Sequence, residues 1–306
     1  MRDKFADVIF EIGKKDKRIS ALVADISPAG SMVNFRKKFP KRFINCGVAE
    51  QSMIGIAAGM ALQGLRPFCY TIATFALYRP FEMIRVDLCY QNLPVTIVGM
   101  GAGLIYSTLG GTHQSIEDLA VASAIPNMTV LAPCDPNEMK LATEWCATKS
   151  NGPVYMRLGK KGEPDLTSKA IDKFEVGKIR YLEKGNEIAI VSYGTIVSLA
   201  FELSRKIKEL HDKKCSIISS HTIKPFDKNG FKNILNNHKK VIIIEEHVKN
   251  GSLSDKVKSF CHEQKINNEI FSFTLKDQFY HFYGSYKDLL SKHGLDVSSI
   301  LKKLSI

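Results

Sequence analysis

A single carboxylate, Glu50, opens the run Glu50-Gln51-Ser52-Met53-Ile54-Gly55-Ile56-Ala57-Ala58-Gly59-Met60-Ala61, which is otherwise small, apolar or uncharged. A helix N-terminus favours such an anion by up to about 1 kcal/mol. Burial works the other way, and can raise a carboxyl pKa by several units when no cation is near. A ligand nitrogen sharing a proton with Glu50 would settle that conflict. An exposed first-turn glutamate that merely favours the helix dipole would avoid it, and the residues alone leave both readings open. His113 ends the glycine-, serine- and threonine-rich stretch from Gly101 to Gln114, the composition of an active-site loop, although a histidine before a helix also serves as a cap or surface residue. Phe75 and Tyr78 are spaced to share one helix face, as an aromatic wall or as core. Asp25 ends a strand-like run, and Arg157, Lys160 and Lys161 cluster at the end of another, either as a positive patch or as a solvated edge.

These residues need a scaffold that brings them to one place. Residues 1–16 read as an amphipathic helix with Phe5, Val8, Ile9 and Ile12 on its apolar face. Strands are expected over 19–25, 43–46, 66–72, 93–101, from Met128, and over 153–158. The near-continuous apolar run at 93–101 is typical of a parallel strand covered on both faces. A helix is expected over 48–62 with Gly64 as its stop, and another begins at Asp135-Pro136. The segment Ile26-Ser27-Pro28-Ala29-Gly30 marks a loop at a strand's carboxyl end, where open α/β sheets place ligands. Residues 166–185 are polar without a long apolar period and read as a linker. A second alternation follows, with strands at 188–192, 216–219 and 240–245 and helices near 196–211, 227–237 and 251–263. The expected architecture is therefore α/β, with two consecutive domains at 1–165 and 186–306, each a mostly parallel sheet flanked by helices.

The chain has 306 residues, 44% hydrophobic and 24% charged, as in soluble globular proteins, and no apolar run long enough to span a bilayer. The charged N-terminus leads into a helical pattern, so no secretory signal is expected. Seven scattered cysteines without a Cys-x-x-Cys pair suggest neither a zinc site nor a disulfide framework, and fit a reducing cytoplasm. A net charge of +12 raises the question of nucleic acid or acidic lipid. The lysines are dispersed without an aromatic-basic stripe, so neither nucleic acid nor membrane is expected as a partner.

Gly47-Val48-Ala49-Glu50-Gln51 and the helix after it resemble the pyrimidine-binding domain of thiamine-diphosphate enzymes of the transketolase and deoxyxylulose-phosphate synthase group. Gly111-Thr112-His113-Gln114, with Glu117-Asp118-Leu119-Ala120, is similar to a segment of the same family. Tyr193-Gly194-Thr195, Ile223-Lys224-Pro225-Phe226-Asp227 and Glu245-Glu246-His247 look like its C-terminal domain. The resemblance implies that Glu50 bonds the aminopyrimidine nitrogen of the cofactor, that Phe75 and Tyr78 pack on its ring and that Asp25 lies near it. It implies that His113 faces the substrate channel, able to bond or shuttle protons, and that Lys160 contacts a substrate phosphate with Arg157 and Lys161 reinforcing the patch. Arg79 and Phe81 match a recurring pair that is structural or lines a dimer interface, and Glu245 and Glu246 read as strand-end and interface residues.

Two departures concern sugar recognition: Leu109 stands where transketolases carry Asp, and Gly101 where they carry a donor-contacting His. The family's Gly-Asp-Gly stretch, which holds the diphosphate and a magnesium or calcium ion, does not occur in the sequence. The expectation is a C-terminal subunit of a split transketolase, sharing its cofactor with an N-terminal partner chain in an α2β2 heterotetramer of carbohydrate metabolism. It would transfer a two-carbon ketol unit from a ketose phosphate to an aldose. A deoxyxylulose-phosphate synthase-like enzyme, the β subunit of a 2-oxo-acid dehydrogenase and a non-catalytic scaffold are the alternatives.

Overall fold

The computed structural model describes residues 1–26 and 32–304. The loop expected at residues 27–30 lies outside them, while Asp25 and Ile26 lie inside. Among the described residues, twelve strands form two sheets. They are β1 Ile19–Val23, β2 Phe43–Asn45, β3 Arg66–Ile72, β4 Thr96–Met100, β5 Thr129–Leu131, β6 Val154–Leu158, β7 Arg180–Glu183, β8 Ile188–Ser192, β9 Ser216–Ser219, β10 Thr222–Lys224, β11 Lys240–Val248 and β12 Glu269–Leu275.

The first sheet runs β10-β5-β6-β4-β3-β1-β2, parallel except for β10. Every residue of β1, β4 and β6 is buried, as expected for parallel strands covered on both faces. The Arg2–Lys15 helix packs on the Pro136–Thr148 helix on one face, burying Phe5 and Ile9 with Phe68 and Met139. The Glu50–Leu62 helix covers β3 on the other face through Met53, Ile54, Ala57 and Ala61. Asp135 caps the Pro136–Thr148 helix, accepting from the Glu138 N–H at 2.7 Å, as its Asp-Pro start implied.

The second sheet runs β12-β11-β8-β9-β7. Two findings depart from the sequence expectations. Arg180–Glu183, inside the stretch read as a linker, is the antiparallel edge strand β7 beside β9. Thr222–Lys224 leaves the second half of the chain to pair antiparallel with β5 at the edge of the first sheet. Both strands are too short for a period to register. One core cluster continues from Met53 and Ile54 through Tyr155 to Tyr193, Ile218 and Phe231, so the two sheets share apolar packing. All seven cysteines are free. Among the described residues no helix is long and apolar enough to cross a membrane.

Candidate active site

The candidate residues follow carboxyl ends of neighbouring parallel strands: Asp25 after β1, Glu50 after β2, Phe75 after β3, His113 after β4 and Lys160 after β6. Open α/β sheets gather ligands along that rim. Asn45, the last residue of β2, accepts from the Asp25 N–H at 3.1 Å and the Gly47 N–H at 3.0 Å. It thereby ties the end of β1 to the turn before the Glu50 helix. Gly47 has φ +68, a backbone conformation that glycine adopts without steric cost.

Glu50 is 4% exposed. Its carboxylate meets Arg79, whose Nη1 donates to both oxygens at 3.1 and 3.0 Å. The chain thus supplies a cation of its own to the buried carboxylate. Arg79 also lies over the Phe75 ring, 4.2 Å from its centroid. The Phe75 ring is 5.2 Å from that of His113, edge to face, and the His113 ring is 5.8 Å from Tyr106 in the same manner. Lys160 completes the line with Nζ 5.2 Å from the Tyr106 centroid. Glu50, Arg79, Phe75, His113, Tyr106 and Lys160 therefore form one unbroken line of contacts.

Thr112 bonds His113 Nδ1 through Oγ1 at 2.9 Å, and its carbonyl accepts from Thr74 Oγ1 at 2.8 Å. The loop is so pinned to the helix bearing Phe75, and partial burial lowers the His113 pKa below its ordinary value. Gly101 has a steric reason for being glycine. Its φ is +77, and a Cβ there would overlap the Tyr106 ring. A histidine cannot be accommodated at 101 while Tyr106 holds that place. Leu109 is 48% exposed on the same loop.

Tyr78 does not join the line. It packs on the main core and its hydroxyl lies 3.2 Å from Ser115 Oγ. Lys161 points to Asp3 at 3.4 Å. Arg157 is not part of a positive patch: it is 4% exposed, sits 3.4 Å from Asp118 and donates to the carbonyls of Ser115 and Glu246. A basic residue in a strand of otherwise apolar residues signals an internal counter-charge, and that signal was present in the sequence. Tyr106 and Arg79 carried no such mark, since their roles depend on residues distant along the chain. Among the described residues no group of three or more His, Cys, Asp or Glu side chains is placed to hold a metal ion.

Residues 1–163 match the family described as transketolase, pyrimidine binding domain, and residues 177–300 match transketolase, C-terminal domain. The chain is 34% identical over 300 residues to a 1-deoxy-D-xylulose-5-phosphate synthase of Clostridium perfringens, a match covering 98% of this chain and 48% of that protein. It thus spans about half the length of that curated relative. It is 29% identical over 301 residues to an apulose-4-phosphate transketolase subunit from Phocaeicola vulgatus, covering 98% of this chain and 95% of the relative. Among solved structures, a split gene transketolase described as an inactive beta4 tetramer superposes with a TM-score of 0.86 at 32% identity, covering 99% of this chain and 97% of that one.

Proposed function

The chain belongs to the transketolase family of thiamine-diphosphate enzymes, and from that premise we propose that it is the C-terminal subunit of a two-chain transketolase. The reaction is transfer of a two-carbon ketol unit from a ketose phosphate to an aldose acceptor, in cytoplasmic carbohydrate metabolism. The line of contacts from Glu50 to Lys160 carries this reading.

Arg79 shows what the Glu50 and Phe75 side chains can hold between them. A flat group with N–H donors bonds Glu50 and stacks on Phe75, and an aminopyrimidine presents the same flat face and nitrogen edge, so the residues fit that group. When bound, thiamine diphosphate supplies the carbon nucleophile and carries the two-carbon unit between sugars. Glu50 holds or shares a proton at the pyrimidine nitrogen through an oxygen that Arg79 now engages. The Arg79 side chain is 46% exposed and has solvent to move into. Phe75 gives its ring to the aromatic contact. Tyr78 backs the Ser115 end of the His113 loop, and Asp25 lies beside the Gly47 turn. His113, with Nδ1 engaged by Thr112, offers Nε2 to substrate hydroxyl protons. Lys160 attracts the substrate phosphate.

The diphosphate and its magnesium or calcium ion are assigned to an N-terminal partner chain with a Gly-Asp-Gly stretch, in an α2β2 assembly. Relatives named as a split gene transketolase and as one subunit of a transketolase, each matched over nearly its whole length, support the two-chain reading. Leu109, exposed where a sugar-holding carboxylate is expected, favours a second reading: a deoxyxylulose-phosphate synthase-like reaction that uses pyruvate. The test is to reconstitute the chain with the partner, thiamine diphosphate and magnesium, and to offer ketose phosphates and pyruvate separately. Ketol transfer from a ketose phosphate supports the first reading and product from pyruvate the second. No product from either, with cofactor bound, would sink both.

A further inference from the structure

We propose that Glu246, on β11 of the C-terminal domain, is a positioning residue that holds the neck of the His113 loop, so that the C-terminal domain sets the geometry of the substrate-facing edge. The neck is the short bridge between Gly103 and Ser115, closed by Gly103 N–H to the Ser115 carbonyl at 2.9 Å and Ser115 N–H to the Gly103 carbonyl at 3.0 Å. Everything from Leu104 to Gln114, His113 included, hangs from this bridge.

Two side chains seize it. Glu246 Oε1 accepts from the Leu104 N–H at 2.6 Å, while Oε2 accepts from the hydroxyls of Tyr286 at 2.7 Å and Thr195 at 3.2 Å. The carboxylate is thereby oriented from the second domain while it grips the first. Arg157 takes the other side of the neck, donating to the Ser115 carbonyl at 3.1 Å and to the carbonyl of Glu246 itself at 2.9 Å. Gly103 has φ +60, and a Cβ there would overlap the Glu246 carboxylate, so the loop backbone approaches as closely as glycine allows. A further contact lies at the tip, where a Cβ on Gly111 would be 3.2 Å from Phe279 of the C-terminal domain.

Glu246 is 3% exposed. A buried carboxylate with three donors in fixed directions is a rigid attachment, because each bond restricts the others and water does not compete. Losing the grip frees the neck without touching Glu50 or Phe75. The functional part of this inference rests on the reading of His113 as substrate-facing, whereas the mechanical part does not.

The experiment compares wild type, Glu246→Gln and Tyr286→Phe. Amide hydrogen exchange across 104–115 and the NMR titration of His113 are measured on the chain itself. Turnover and thiamine-diphosphate-dependent thermal stabilisation are measured with the partner present. The expected result is exchange at 104–115 at least tenfold faster in Glu246→Gln and faster in Tyr286→Phe, with β8 and β11 amides unchanged. The His113 midpoint rises toward its ordinary value, and kcat falls about tenfold with cofactor stabilisation intact. Unchanged loop exchange in both variants overturns the proposal, as does acceleration spread equally through β8 and β11, which marks a role in folding alone. If wild type shows no turnover but the loop responds as stated, the functional reading fails and the mechanical one stands.

Discussion

Replacing Arg157 by Met keeps an unbranched apolar stem and removes the guanidinium from a site that is 4% exposed. Asp118, 0% exposed, then loses the guanidinium 3.4 Å away and keeps only the Tyr155 hydroxyl at 2.7 Å. The Ser115 and Glu246 carbonyls lose a donor as well. Removing one partner of a buried ion pair costs about 3–5 kcal/mol, because the other charge stays buried without compensation. Whole domains are stable by only about 5–15 kcal/mol, so the loss is a large share of the total. The assay is urea unfolding followed by far-UV circular dichroism and by fluorescence of Trp145, the single tryptophan of the chain. The midpoint should fall while the slope stays constant. Adding Asp118→Asn to Arg157→Met should recover part of the loss, with a coupling of about 1–3 kcal/mol. A single-variant loss below about 1 kcal/mol, or strict additivity of the two, would refute the buried-pair reasoning.

His221, 1% exposed and stacked on Phe174 at 4.1 Å, has its pKa pushed down to about 3 by burial, with Arg180 adding to the effect. The unfolded chain takes up a proton below about 6.5 that the folded chain refuses, so stability is retained above that pH and lost as pH falls from 6.5 toward 3. His221→Phe should make the stability loss between pH 6 and 4 shallower by up to about 1.4 kcal/mol per pH unit, and an identical slope would contradict it. Lys160→Ala should raise KM for a phosphorylated donor about tenfold, a change of about 1.4 kcal/mol, and leave KM for a non-phosphorylated analogue unmoved. Leu109→Asp should raise kcat/KM for polyhydroxylated donors about tenfold, as expected for one charge-assisted hydrogen bond of about 1.5–3 kcal/mol; no gain would place the sugar elsewhere.

The central parallel strand at 93–101 was legible in the sequence because burial on both faces leaves a short apolar run, bounded by Pro94 and Gly101, that is too short for a buried helix. The turn and helix around Glu50 were legible because Gly47 and the small-residue run are local. Arg79 as the partner of Glu50 was not, since the pair is separated by 29 residues and nothing at either position names the other. The grip of Glu246 on Leu104 spans 142 residues and lay equally out of reach. Tyr106 was visible only as a loop residue, although the glycine at 101 is there to admit its ring. Arg157 reads with Lys160 and Lys161 as one basic cluster, whereas the apolar run Val154-Tyr155-Met156 before it is the mark of an internal counter-charge.

The proposed chemistry depends on the side chain of Glu50, and Glu50→Gln isolates it. The amide keeps the volume and an oxygen for Arg79, but cannot exchange a proton with a pyrimidine nitrogen. In the chain reconstituted with its partner, thiamine diphosphate and magnesium, single-turnover rates should fall at least about 100-fold, the scale of a lost general acid–base group. Retention of more than about a tenth of the wild-type rate would contradict the role assigned to this carboxylate.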